Sequence, residues 1–267
     1  MFYALAIIYV VVCLSACAFQ RRLIYFPTKL IASAAEQAAA QNGFSPWRNQ
    51  AGQIIGWKMT VKVASTGSVL VIHGNAGCAI DRSYLAEPIH EALPLDVHVL
   101  EFPGYGARAG SPNMTSILVA AEEAFGQLPQ DKPVYLVSES IGAGAAAHLA
   151  KLHPDRVKGM AMFVPYDDLA SVGQRAMPYL PVRLLLRDRY QPALWLRSYR
   201  SPIQFVLAGA DEVIPTKFGQ RLHDSYQGPK QLQIIPGAHH NEVEEQSPEW
   251  WQGVFAFWTE KPMLSVH

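Results

Sequence analysis

Seven apolar runs, GQIIGWKMTVKV, SVLVI, DVHVLEF, PVYLVS, GMAMFV, IQFVLA and QLQII, alternate with longer amphipathic stretches, and this alternation restricts the fold more than any other feature of the chain. A strand too apolar to alternate must be buried on both faces, and helices between consecutive strands supply the two covering layers. The helical stretches lie near residues 81–92, 113–127, 140–152, 216–226 and 246–259. The pattern predicts an α/β fold with a mostly parallel central sheet flanked by helices. In such sheets sites form beyond the carboxyl ends of the strands. A chain of 267 residues is long enough for a sizeable core. No internal repeat or low-complexity linker follows residue 25, so one catalytic-sized domain is expected.

The first 20 residues stand apart. FYALAIIYVVVCLSACAF carries no charge and reaches the lower length limit of a helix that spans a bilayer. Two readings compete for it. Arg21 and Arg22, directly after the apolar run, suit an uncleaved anchor whose C-terminal side stays in the cytoplasm. Alternatively LSAC at 14–17 matches a lipoprotein signal, with Cys17 as the lipidated first residue of an exported protein; the non-basic MFYALA start argues against export. In both readings the N-terminus is expected to associate with a membrane; a third, less favoured reading is a buried core helix.

Charge and cysteine content exclude several classes. The 22 basic and 22 acidic side chains balance, so no field favours a nucleic-acid partner. Cys13, Cys17 and Cys78 form neither a disulfide framework nor a pair with metal-ligand spacing, so no metal site is expected. Nine scattered histidines need position and company before any of them acquires a role.

Four strand ends provide that company. SESIG at 138–142 has the small-x-Ser-x-small form of a nucleophile elbow, a strained strand-to-helix turn that lifts Ser140 above the sheet. Ser138 stands where Gly is usual, and the GAGAAA that follows suits close packing of the next helix on the sheet. SVLVIHGNAG at 68–77 ends a strand in a glycine-bearing loop. Its Asn75 amide, paired with that of Ile141, is the candidate oxyanion hole; pre-aimed donors of this kind are worth about 3–4 kcal/mol in acyl transfer. His73 is read as structural. FVLAGADEVIP at 205–215 offers Asp211 as the carboxylate that orients an imidazole, with Glu212 a solvated neighbour. LQIIPGAHHNEV at 232–243 brings two histidines after a further strand. Ser, then Asp, then His is the chain order used by hydrolases of this topology.

Taken together, FQRRLIYFP (19–27), HGNAG (73–77), FPGYGARAGSP (102–112), the elbow, PYLPVRLLLRDRY (178–190), GADEVIP (209–215) and GAHHN (237–241) resemble the α/β-hydrolase superfamily. Within it they resemble the N-terminally anchored serine hydrolases with an H-G-N-A-G oxyanion loop, relatives of the eukaryotic protein depalmitoylases. The resemblance implies that His240 is the catalytic histidine, with His239 in the place of a usual Gly, and that Pro103 replaces a common Arg. It implies the α/β-hydrolase fold with a small helical cap.

The expected organisation is a membrane segment at 1–20 and a hydrolase domain at 21–267 with a cap insertion at about 165–202. The expected chemistry is attack by Ser140 on an ester or thioester carbonyl, with His240 as base and Asp211 behind it, through an acyl-enzyme. No cofactor is called for. A working base must be neutral, so activity is expected to fall as pH drops through roughly 6–7. Lipid-like acyl esters are the expected substrate class. Some of Met177, Tyr179, Leu180, Leu184, Leu185, Leu186, Tyr190 and Trp195 would then form an acyl pocket, or simply fix the cap to the body. Arg183, Arg187 and Arg189 are read as a solvated face able to meet headgroups. The alternatives are a catalytically degenerate binding scaffold, and an acyltransferase or peptidase on the same fold.

Overall fold

The computed structural model describes residues 2–260, so the expected domain end at 267 lies outside the described residues. The chain begins with helix α1 (Phe2–Ile24), strand β1 (Phe26–Pro27), α2 (Ala32–Gln41), β2 (Ser45–Arg48), β3 (Ile54–Met59), β4 (Gly67–Ile72) and β5 (Ala76–Gly77). Next come α3 (Ser83–Ala92), β6 (Leu95–Leu100), α4 (Met114–Gln127), β7 (Val134–Glu139), α5 (Gly142–Leu152) and β8 (Val157–Phe163). Three short helices follow, α6 (Leu169–Ala176), α7 (Val182–Leu185) and α8 (Pro192–Trp195). The last elements are β9 (Ile203–Ala208), α9 (Lys217–Ser225), β10 (Lys230–Ile235) and α10 (Pro248–Thr259).

Eight strands form one sheet in the order β10-β9-β8-β7-β4-β6-β3-β2, parallel from β10 to β6, with β3 and β2 added antiparallel. This is the mostly parallel, helix-flanked sheet of the α/β-hydrolase fold. Every residue of β4, β7 and β9 is buried, as strands covered on both faces must be. Successive residues serve opposite layers. Leu70, Ile72 and Leu136 pack with Phe125 and Leu149 on one face, while Val69, Val71 and Val137 pack with Trp251 and Trp258 on the other. Each such side chain fully withdrawn from water contributes about 1.5–3 kcal/mol.

Two elements carry no signal of the expected kind. Helix α2, ASAAEQAAAQ, buries only Ala35 and Ala39, one turn apart, and so lacks a stripe of large apolar residues. Strand β2, SPWR, lies on the sheet edge, where Pro46 is tolerated. The register then aligns the strand ends that matter: Ile72 pairs with Ser138, and Ser138 with Met162. His73, Ser140 and Val164 therefore follow three neighbouring strands at one edge of the sheet.

Candidate active site

Between β7 and α5 the backbone turns within Ser140 and Ile141. Ser140 has φ 50°, a left-handed conformation that costs a non-glycine residue about 1–3 kcal/mol. Its N–H donates to the Phe163 carbonyl at 3.0 Å, and the residue just past that strand, Val164, is also left-handed at φ 41°. The turn is possible because Gly142 follows it. A Cβ at 142 would overlap the Ile72 carbonyl oxygen, so the helix can pass this close only on glycine. Farther along α5, a Cβ at Gly144 would run into the ring of Tyr190, a side chain from the 165–202 segment. Ser138, in the usual glycine position, is fully buried, and its Oγ has no hydrogen-bond partner among the described residues.

The structure brings the three widely separated polar candidates together. His240 Nε2 lies 3.1 Å from Ser140 Oγ, and His240 Nδ1–H donates to Asp211 Oδ2 at 2.8 Å. All three side chains are nearly buried, at 8% exposure for Ser140 and Asp211 and 6% for His240. The second carboxylate oxygen of Asp211 accepts the Val213 and Ile214 N–H groups at 2.9 and 2.7 Å. Two backbone donors thus hold one oxygen, and the other is left to orient the imidazole. Beside this pair, the exposed Glu212 carboxylate accepts from His239 Nδ1 at 3.0 Å. The Glu212 contact raises the His239 imidazole above its ordinary range, and the backbone and His239 hold Glu212 below its own.

Asn75 and Ile141 both border the cavity above Ser140. Neither amide N–H donates to a described residue, and Ile141 opens α5, whose N-terminal end carries partial positive charge. The loop that presents Asn75 is fastened on three sides. The Asn75 carbonyl accepts from Phe26 N–H and from the Tyr105 hydroxyl, both at 2.8 Å, and the Asn75 side chain donates to the Ile24 carbonyl at 3.1 Å. Behind the loop, Glu139 Oε1 accepts Gly74 N–H and Arg82 Nε–H at 2.7 and 2.8 Å, while Oε2 accepts the Tyr84 hydroxyl at 2.7 Å. Burial alone would push the Glu139 carboxyl up, but Arg82, Tyr84 and the Gly74 amide together hold it below the usual carboxylate range. Gly74 therefore lets the Glu139 carboxylate approach, its Oε1 2.9 Å from where a Cβ would stand.

His73 takes a structural place. Its Nδ1–H donates to the Gly74 carbonyl at 2.7 Å, and its Nε2 accepts Phe102 N–H at 3.3 Å. The buttress of Arg82, Tyr84 and Glu139 escapes pattern reading: Glu139 is the variable residue of the elbow, and Arg82 precedes an ordinary amphipathic helix.

Above Ser140 lies a cavity of about 220 Å³. From the 165–202 segment, Met177, Leu180, Leu185 and Leu186 line it. Tyr179 and Leu184 point outward instead, at 87% and 80% exposure, and Tyr190 and Trp195 pack on the body. The arginines tie the segment to itself and to α1: Arg189 donates to the Leu186 and Arg183 carbonyls at 2.9 and 3.0 Å, and Arg187 lies 3.6 Å from Cys17 Sγ. A hydroxyl, an imidazole and a carboxylate in series, beneath an apolar cavity with two free amides at its floor, form an arrangement suited to acyl transfer.

No family model matches the chain. The uncharacterized protein Rv2307c of Mycobacterium tuberculosis is 32% identical over 232 residues, which cover 84% of this chain and 82% of that protein. Lysophosphatidylserine lipase ABHD12 of Xenopus tropicalis is 27% identical over 201 residues, 67% of this chain and 51% of the lipase. Protein bem46 of Schizosaccharomyces pombe is 22% identical over 162 residues, 57% of this chain and 53% of that one. Among solved structures, Est1E from Butyrivibrio proteoclasticus matches with a TM-score of 0.64 at 16% identity, over 79% of this chain and 98% of its own. The Pyrococcus furiosus esterase Pf2001 matches with a TM-score of 0.64 at 15% identity, over 88% and 96% of the two chains.

Proposed function

We propose, for a chain that belongs to the α/β-hydrolase superfamily and shares a family with the mycobacterial protein, that it is a membrane-associated serine hydrolase of carboxylic esters or thioesters. The observation that carries this reading is the hydrogen-bonded series Ser140, His240, Asp211 beneath an apolar cavity. Ser140 Oγ forms a bond to the acyl carbon while its proton passes to His240 Nε2, and Asp211 balances the imidazolium. The Asn75 and Ile141 amides receive the oxyanion. As the bond to the leaving alcohol or thiol breaks, His240 returns the proton to it. Water then attacks the acyl-enzyme by the same route and releases the acid. ABHD12 is named a lysophosphatidylserine lipase and the solved neighbours are esterases, which favours an ester substrate.

The membrane part of the reading rests on α1. From Tyr3 to Ile24 it is long and apolar enough to cross a bilayer. Cys17 lies in mid-helix, on the face that meets the cap, and not at a break in the chain. That favours the uncleaved anchor over the lipoprotein signal, because cleavage before Cys17 would remove Ala16 from the cavity wall.

The test is labelling of the purified full-length protein with a fluorophosphonate probe, alongside hydrolysis of 4-nitrophenyl butyrate. Wild type and Ser138→Ala are expected to label, and Ser140→Ala is not. Folded wild type that neither labels nor hydrolyses the ester would turn the reading to a degenerate binding scaffold. Acyl product on an added alcohol would turn it to a transferase.

A further inference from the structure

Helix α1 is not uniform around its axis. Between residues 3 and 24 only Cys13, Ala16, Cys17, Gln20 and Ile24 are withdrawn from solvent, a spacing that places them on one face. That face is sewn to the cap. Gln20 Nε2 donates to the Leu185 carbonyl at 3.1 Å, and Gln20 Oε1 accepts Arg187 N–H at 2.7 Å. Arg21 pairs with Asp188 at 3.3 Å, and the Tyr9 hydroxyl donates to the Tyr179 carbonyl at 2.9 Å. A polar seam of this kind has no use in a helix that only tethers a domain.

The seam encloses the cavity over Ser140. Ala16, Leu23 and Ile24 of α1 form one side of it, and Val172, Met177 and Leu185 of the cap form the other. Without α1 the cavity has no wall on that side. At about 220 Å³ it lies below the roughly 300–1,000 Å³ of pockets for bulky small molecules, and its lining beyond Ser140 is nearly all apolar. The space suits one flexible hydrocarbon chain. Its rim is dressed for a bilayer. Leu23, Met177, Tyr179 and Leu184 are exposed on the two segments that meet there. Between α6 and α8, Arg175, Arg183, Arg187 and Arg189 stand against Asp188, which Arg21 of α1 already pairs, a balance that suits anionic headgroups.

We infer that α1 is a wall of the acyl site as well as an anchor, and that the substrate is an ester of a membrane-resident lipid whose chain enters between α1 and the α6–α7 cap. This rests on the serine-hydrolase reading above and adds the substrate class and the route. The chain slides from lipid tails into an apolar slot, so it reaches Ser140 without being exposed to water.

The wall is tested in the full-length protein by the ratio of kcat/KM for 4-nitrophenyl laurate to that for the butyrate. Ala16→Trp and Met177→Trp fill the slot from its two sides. Leu14→Trp, on the outward face of α1 at 63% exposure, reports on general effects of the anchor. The laurate-to-butyrate ratio is expected to fall about tenfold or more in both slot variants and to stay at the wild-type value in Leu14→Trp. Equal ratios in all four proteins, or an equal fall in Leu14→Trp, would overturn the wall. Should Ala16→Trp not fold, Leu23→Trp carries the test from the same α1 side, since Leu23 lines the slot and at 51% exposure tolerates a larger ring. The route is tested with wild type in phosphatidylcholine vesicles. Laurate ester in the same vesicles is expected to be cleaved many-fold faster than ester in a separate vesicle population, and equal rates would overturn lateral entry. Loss of all butyrate hydrolysis and probe labelling in wild type would instead bring down the underlying hydrolase reading.

Discussion

At the scale of single residues, the site holds strain and charge that a merely structural turn does not need. Ser140 stays left-handed at φ 50° because the Phe163 carbonyl and the close passage of Gly142 leave it no other course. Ser140→Gly is therefore expected to abolish hydrolysis while raising stability by about 1 kcal/mol, measured by urea unfolding; a destabilised Gly variant would show that the turn is not strained. Glu244 makes a second test. Burial first, and then the nearby charge of Glu139, push its carboxyl up to about 7. The native state therefore holds a proton that the unfolded chain has already released between the ordinary carboxylate range and about pH 7, so this group makes stability fall as pH rises through that window. Glu244→Gln removes the fall. Its stabilising effect is expected to be absent near pH 4 and to grow to at most about 3 kcal/mol by pH 8, read as a Tm difference at each pH.

The element that most depends on its neighbours is the loop from β4 to α3. Its only regular structure is the two-residue pairing of β5 with β1 and a 3-10 turn at Ala79–Arg82, yet it must hold the Asn75 amide still. Residues 24–28 grip it in front, and the Glu139 carboxylate grips it behind. Arg82 neutralises that carboxylate within an interior where an unpaired charge is costly. Arg82→Met is expected to cost about 3–5 kcal/mol at pH 7. Glu139 is held below the usual range only by its partners, so the variant's carboxyl takes up a proton as pH falls, and the deficit should shrink toward pH 4. A deficit independent of pH in thermal unfolding would mean that Arg82 acts by packing and not by charge.

Across the whole molecule, exposed apolar side chains gather on α1 and the segment beside it. Basic and acidic residues balance over the chain at 22 each, but the segment next to α1 is basic and tipped with exposed apolar side chains. α1 itself exposes most of its apolar residues, a surface of the kind that marks contact with a membrane or a partner. The protein is expected to stay with membranes through alkaline carbonate or high-salt washing and to leave only with detergent. Release by salt alone would reduce α1 to a peripheral, charge-held contact.

The residues themselves determined the sheet, because strands buried on both faces must be apolar throughout: SVLVI, PVYLVS and IQFVLA became β4, β7 and β9 with ends moved by a residue or so. They also marked Ser140, Asp211 and His240 by placing each just past a strand, and a parallel sheet puts all such ends at one edge. What short-range pattern does not encode is contact between distant segments. α2 and the edge strand β2 had no large apolar period to reveal them. The Arg82–Glu139 pair joins positions 57 apart, and the face of α1 that meets the cap joins Gln20 to Arg187 across 167 residues. An apolar helix read alone looks like an anchor and nothing more. Only the folded chain decides that Ala16 and Ile24 face the cavity over Ser140, because a helix commits a face only when a second surface arrives to bury it.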